Sequence, residues 1–193
     1  MPGVVQEAQL ERLNGGLAAT TDGWFVVNAR EAPWLAQDDF GMRCIFETDP
    51  RIVRGRDDLE PWWFGQVGFK LGVVSPGQCS TLYHAETQQE DFLILSGTGT
   101  AVLEEQERPV RAWDFVHCPP GTRHTIVNTG DEPLVLLMVG ARTDDGEIVY
   151  PPSEVASRYG AAAETETDSP REAYGGRAHW RNADGPPDAI AAP

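Results

Sequence analysis

Basic residues are scarce in this 193-residue chain: 15 Lys and Arg stand against 30 Asp and Glu, for a formal charge of −15. A surface of that sign repels phosphate backbones and anionic headgroups, so neither nucleic acid nor a membrane is expected as a partner, and a small molecule or another protein is. Cysteine is nearly lacking. Cys44, Cys79 and Cys118 are odd in number and share no CxxC spacing, which suggests neither a disulfide framework nor a thiolate zinc knuckle. They read as reduced thiols of a cytoplasmic protein. Long apolar runs are missing too: LVLLMV at 134–139 is the longest, far short of the roughly 20 residues a membrane helix needs. The start, MPGVVQEAQLERL, has no basic stretch followed by an apolar one, so an unexported protein is expected. No GxSxG elbow, no HExxH and no basic stripe with interleaved aromatics occurs, which argues against a serine-triad hydrolase. GTGTA at 97–101 sits between strand-like runs and lacks the following helix that a phosphate-cradling loop requires.

What is present is organised by short apolar runs. The length suits one domain, with or without arms. Val5, Leu10 and Leu13 stand at loosely helical spacing before Asn14-Gly15-Gly16, so a short helix is expected within an N-terminal arm, residues 1–23. From Trp24 the texture changes to WFVVNA, MRCIFE, FGQVGFKLGVV, DFLILS, GTAVLEE, DFVHCP, HTIVN and PLVLLMVG, each bounded by Gly, Pro, Asn or Asp. Such closely spaced runs with no helical period between them predict an all-β antiparallel sandwich or barrel over residues 24–150. Beyond Tyr150 the composition turns to Ala, Glu, Pro, Thr and Gly, and residues 151–193 read as a flexible, irregular C-terminal tail. Within it, YPPSEVASRYG and AYGGRAHW have apolar anchors for packing.

Two segments carry candidate chemistry, residues 77–97 and 113–128. Side chains alternate along a strand, so His84 and Glu86 point the same way. If Glu90 opens the next strand after the TQQ turn, it faces inward with Phe92 and Ile94, and Asp91 faces outward. Pro119-Pro120-Gly121 makes a turn that launches HTIVN, with His124, Ile126 and Asn128 on one face. Two imidazoles and two carboxylates can thus converge. Carboxylates buried together without a cation repel, and a divalent ion removes that penalty. The donor set suits Fe, Mn, Ni or Zn. Taken singly, either histidine is more simply a satisfied structural residue, and the paired arrangement with Glu90 is what points to a metal. Gly97, Gly121 and Asn128 read as turn and strand-end residues. Cys118 reads as a buried unreactive thiol, and Trp62, Trp63 and Phe64 as core, cavity wall or dimer contact.

The paired segments resemble the two motifs of the cupin superfamily. The second motif, Pro119-x-Gly121-x-x-His124-x-x-x-Asn128, is complete except that Trp113 stands where an opening glycine is usual. The first matches at His84, Glu90 and Gly97, with Glu86 in place of a second histidine and Gly77 one residue further upstream than usual. VGARTDDGEIVYPPSEV resembles the C-terminal edge of small single-domain cupins. The resemblance covers about residues 60–150 and implies a cupin jelly-roll β-barrel, a homodimer, and a divalent metal held by His84, Glu90 and His124. Glu86 then serves as a fourth ligand or as a nearby catalytic base. The implied function is that of a metal-binding cupin acting on a small polar metabolite, by dioxygenase, decarboxylase or isomerase chemistry. The alternative is a non-catalytic module that binds or senses a small molecule.

Overall fold

The computed structural model describes residues 4–191. The first three residues of the expected arm and the last two of the expected tail lie outside the described residues. Strands β1 (Leu10–Leu13) and β2 (Gly16–Ala19) form a hairpin. They are followed by β3 (Trp34–Gln37), β4 (Gly41–Ile45), β5 (Val67–Val74), β6 (Ala85–Glu86), β7 (Glu90–Ser96), β8 (Thr98–Leu103) and β9 (Gln106–Arg111). Next come β10 (Phe115–Cys118), β11 (His124–Val127), β12 (Leu134–Ala141) and β13 (Ile148–Val149). The C-terminal part holds helices α1 (Glu154–Ser157) and α2 (Pro170–Ala173), strand β14 (Arg181–Asn182) and helix α3 (Asp188–Ala191).

One antiparallel sheet runs in the order β10-β7-β12-β5-β4-β3-β14. The opposing layer is β9-β8-β11. Isolated antiparallel bridges, Cys79 to Val127 and His84 to His124, tie β11 to the segment entering β6, which pairs with β13. Alternation puts Phe92 and Ile94 of β7 and Leu136 and Met138 of β12 inward, against Ala101 of β8, Val110 of β9 and Ile126 of β11. Burying these side chains supplies the main drive for the two layers to close on one another. The architecture is a jelly roll of two facing ladders. Among the described residues these ladders do not join into the closed barrel that the resemblance implied.

Several local expectations are corrected. The arm is a hairpin rather than a helix, because Asn14 and Gly15 both take positive φ (34° and 104°) and reverse the chain after only four residues of β1. WFVVNA forms no strand beyond a bridge from Trp24 to Glu7. Phe25 stacks on Phe64 instead, at 6.4 Å between ring centres. The polar stretch QERPVR is a strand, and its exposed charges and Pro109 are tolerated because β9 is an edge.

The tail folds back onto the domain. Tyr150, Ala156, Ala161 and Ala163 are buried with Phe40, Leu82 and Tyr83, and β14 adds to the edge of the large sheet beside β3. Two serines start the short helices: the Ser153 hydroxyl accepts from the Ala156 N–H, and Ser169 does the same for Glu172 ahead of Pro170.

Candidate metal centre

His84 and His124 face each other across a two-way backbone pair, with His84 N–H donating to the His124 carbonyl at 3.1 Å and the reverse bond at 2.8 Å. In an antiparallel ladder such a pair projects both side chains from one face. The ring centres are 4.6 Å apart. Glu90 arrives from the opposing sheet, where it opens β7. Its Oε2 lies 3.1 Å from Nε2 of His84 and 3.1 Å from Nε2 of His124. One ligand atom from each of the three residues falls within 4.8 Å of the others.

Both imidazoles are held in one orientation. Nδ1 of His84 is 2.7 Å from the Leu82 carbonyl, and Nδ1 of His124 is 2.9 Å from that of Thr122. Since only an N–H satisfies a carbonyl, each ring donates through Nδ1 and turns Nε2 toward Glu90. His124 Nε2 is buried and, despite its distance to Glu90, makes no hydrogen bond among the described residues. Electrostatics reflect this crowding. Burial disfavours the Glu90 carboxylate, but the closeness of the two imidazoles, His84 in hydrogen-bond contact and both by their charge, outweighs it and holds the group well below the usual range. Burial likewise opposes the His124 imidazolium, yet Cys118 and Glu90 beside it push the pKa up to about 10.

Glu86 stands on the rim. Its Oε1 is 3.9 Å from His84 Nε2, and its side chain is 29% exposed against 18% for Glu90. Burial raises its pKa, and repulsion from Glu90 adds to the effect. The structure therefore brings three of the four expected side chains together and leaves Glu86 beside them. Asp91 points the other way, to His117 at 2.7 Å on the outer face. Cys118 is buried in the apolar cluster next to Val116. Asn128 is structural, donating to the Val74 and Glu132 carbonyls and accepting from Gly130 N–H. Trp113 has φ 74°, which explains why a glycine is usual there.

A cavity of about 300 Å³ adjoins His84 and Glu90 and is bordered by Arg43, Lys70, Glu86, Phe92, Tyr150 and Tyr174 among others. That is the lower end of the range for small-ligand sites. Its room comes partly from a row without side chains: Gly140 of β12 pairs with Glu90 on one side and with Gly68 of β5 on the other. Tyr150 and Tyr174, 5.6 Å apart, bring the tail over one wall. These two tyrosines, Arg43 and Lys70 were not legible as site residues, because their strands and loops lie far from both motifs. The alternation in FGQVGFKLGVV is the one signal that could have placed Lys70 on an inner face.

Residues 70–140 match the family model described as Cupin domain. Auxin-binding protein 1 of Arabidopsis thaliana is 27% identical over an alignment of 127 residues, covering 60% of this chain and 60% of that protein. An uncharacterised protein of Methanocaldococcus jannaschii is 34% identical over 65 residues, covering 34% of this chain and 52% of the relative. The chain thus spans little more than half the length of these relatives. Among solved structures, a sugar phosphate isomerase of the cupin superfamily from Silicibacter pomeroyi aligns with a TM-score of 0.47 at 26% identity, over 62% of this chain and 69% of that one. A predicted oxalate decarboxylase of Thermotoga maritima aligns at 0.47 and 22%, over 62% and 100%. No helix among the described residues is long and apolar enough to cross a membrane. The match over residues 70–140 encloses His84, Glu90 and His124 on the facing layers of a jelly roll, so this segment of the chain is a cupin domain by fold and by family model.

Proposed function

We propose that His84, Glu90 and His124 hold a divalent cation, one of Fe, Mn, Ni or Zn, and that the adjoining cavity receives a small polar metabolite. The observation that carries this reading is the buried Nε2 of His124, which has no hydrogen-bond partner although its ring is locked by Nδ1. A buried ring nitrogen left without a partner is costly, and a cation between it, His84 Nε2 and Glu90, taking the place of the proton His124 otherwise holds, would satisfy all three at once. The donor set, two imidazoles and a carboxylate, is chemically suited to those ions. When bound, the ion would act as a Lewis acid toward a carbonyl or carboxylate oxygen of the ligand. The chain's own part is to orient the imidazoles through Leu82 and Thr122, to narrow the access of water with Tyr150 and Phe92, and to offer Glu86 as a proton acceptor at the rim. Dioxygenase, decarboxylase and isomerase chemistries all remain compatible with such a centre, since fold alone does not select among them.

Elemental analysis of the purified chain tests the proposal. About one divalent ion per chain is expected, lost in Glu90→Gln and His124→Ala and retained in Glu86→Gln if that carboxylate serves as base. No metal under anaerobic or reconstituted conditions overturns it. A second reading, a non-catalytic binding or sensing module, draws support from the binding protein among the relatives. It predicts ligand-dependent thermal stabilisation with the bound compound recovered unchanged. The assignment of residues 24–150 as the domain with arm and tail appended, and of a homodimer, belongs to the same proposal. Light scattering of the full chain checks the dimer.

A further inference from the structure

The chain has a single lysine, Lys70; its other basic residues are all arginine. Lys70 lies in β5 between Phe69 and Leu71, where a charged side chain is costly to bury. The register places it on the inner face, paired with Met138 of β12 and Ile45 of β4, in the row that continues to Phe92. Arg43 shares that face one row along, since it pairs with Gly72, two residues beyond Lys70. Together with Arg142 these cations border the cavity that contains His84, Glu86 and Glu90. In a chain of formal charge −15, three of its few cations gather at this one cavity, facing the carboxylates of Glu86 and Glu90.

Their commitments differ. Arg142 is fully engaged, gripping both oxygens of buried Glu47 and the Phe64 carbonyl. Arg43 gives one N–H to the Ser80 carbonyl and lies over the Trp180 ring at 4.4 Å. Lys70 makes neither a hydrogen bond nor an ion pair within 4.0 Å among the described residues. Glu86 and Glu90 border the same cavity, yet their contacts go to the histidines. A partly buried ammonium with no carboxylate in contact, next to a second cation, is poorly compensated until an anion enters.

We propose that Lys70, assisted by Arg43, forms an oxyanion subsite that takes the carboxylate or phosphate group of a small ligand whose other end reaches the histidine pair. This deepens the ligand reading of the same cavity. It names an acidic metabolite as the substrate class, with the anionic handle held away from the centre.

Because Lys70 is the only lysine, acylation of the full chain followed by peptide mass spectrometry reads its amine directly. After chelation of any metal, inorganic phosphate and malonate are expected to slow Lys70 acylation by about tenfold, the scale of one charge-assisted hydrogen bond. Both should raise the Tm, and glycerol should do neither. Lys70→Met removes the anion-dependent rise, whereas Lys70→Arg keeps it. Protection by only one of the two anions supports the subsite and assigns its group. Equal acylation with and without both anions, or an undiminished Tm rise in Lys70→Met, overturns it. Metal analysis on the same preparation is a separate readout: a chain that protects Lys70 but takes up no metal sinks the metal centre and leaves the subsite standing.

Discussion

The two ends of the same strands differ sharply. Along β7, Glu90 gives way to Phe92 and then Ile94, and along β11 His124 gives way to Ile126. One end of the interior is a dry apolar cluster. The other holds two imidazoles, two carboxylates, a lysine and two arginines around a cavity. The apolar end follows from the hydrophobic effect alone and stabilises the fold whatever the chain binds. The polar end gains little from burial, and on the proposed reading it is complete only when a cation and a ligand enter it. A single sandwich would then be stable at one end and receptive at the other.

The largest effect is expected from breaking the apolar end. Ile94, fully buried, cut to Ala should lower unfolding free energy by about 2–5 kcal/mol, read by urea denaturation. Metal content per folded chain should be unchanged; a matching loss of metal would mean that the two ends are not independent. At the polar end, chelating a cation previously supplied at about 100 times its Kd should cost about 3 kcal/mol. Calorimetry should find that increment missing in Glu90→Gln. A wild-type chain indifferent to chelator would count against the contrast.

The pH response sharpens the comparison further. In the metal-free chain the His124 pKa is raised from 6.5 to about 10, so its contribution is full below about 6.5 and is lost as pH rises through 10. The Glu90 pKa is lowered from 4.5, so its contribution is present above that value and is lost on acidification through the folded pKa. Metal-free stability should thus be greatest between about 4.5 and 6.5 and decline toward alkaline pH, measured by Tm across a buffer series. Glu90→Gln should flatten the profile. With metal bound the alkaline trend should reverse, because protons on His124 compete with the cation. The smallest change lies at the turn into β10, beside the apolar end. Trp113 holds φ 74° with its side chain 76% exposed, so Trp113→Gly should stabilise by about 1 kcal/mol without altering metal uptake.

The strands were legible where alternation is strong. DFLILS and PLVLLMVG read correctly because their inner faces are largely apolar and their ends are marked by turn residues, and HTIVN because the Pro119-Pro120-Gly121 turn launches a β-branched run. QERPVR was not, since an edge strand needs no apolar alternation. The β1–β2 hairpin was hidden because Leu10 and Leu13 fit a helical spacing as well as a strand, and only the positive φ at Asn14 and Gly15 decides between them. His84, Glu86, Glu90 and His124 were legible from local spacing, since a two-residue step and a short turn fix a common face. That Glu86 sits at the rim was not, because the position depends on β13 pairing with β6 across some 60 residues of chain. Lys70 and Arg43 enter the site through sheet register alone. The tail's burial depends on Tyr150, Tyr174 and Trp180 finding partners that composition cannot name.

The Gly68–Gly140 row beside Glu90 has an asymmetric consequence. A glycine has no side chain left to remove, so every substitution in that row subtracts space and none adds it. A methyl at Gly140 would sit 3.7 Å from Glu90 Oε1, within ordinary contact, whereas one at Gly68 would come 2.8 Å from the Arg142 guanidinium. Variation at these two positions can therefore only narrow the cavity. The chain as it stands marks the upper bound on what that wall will admit.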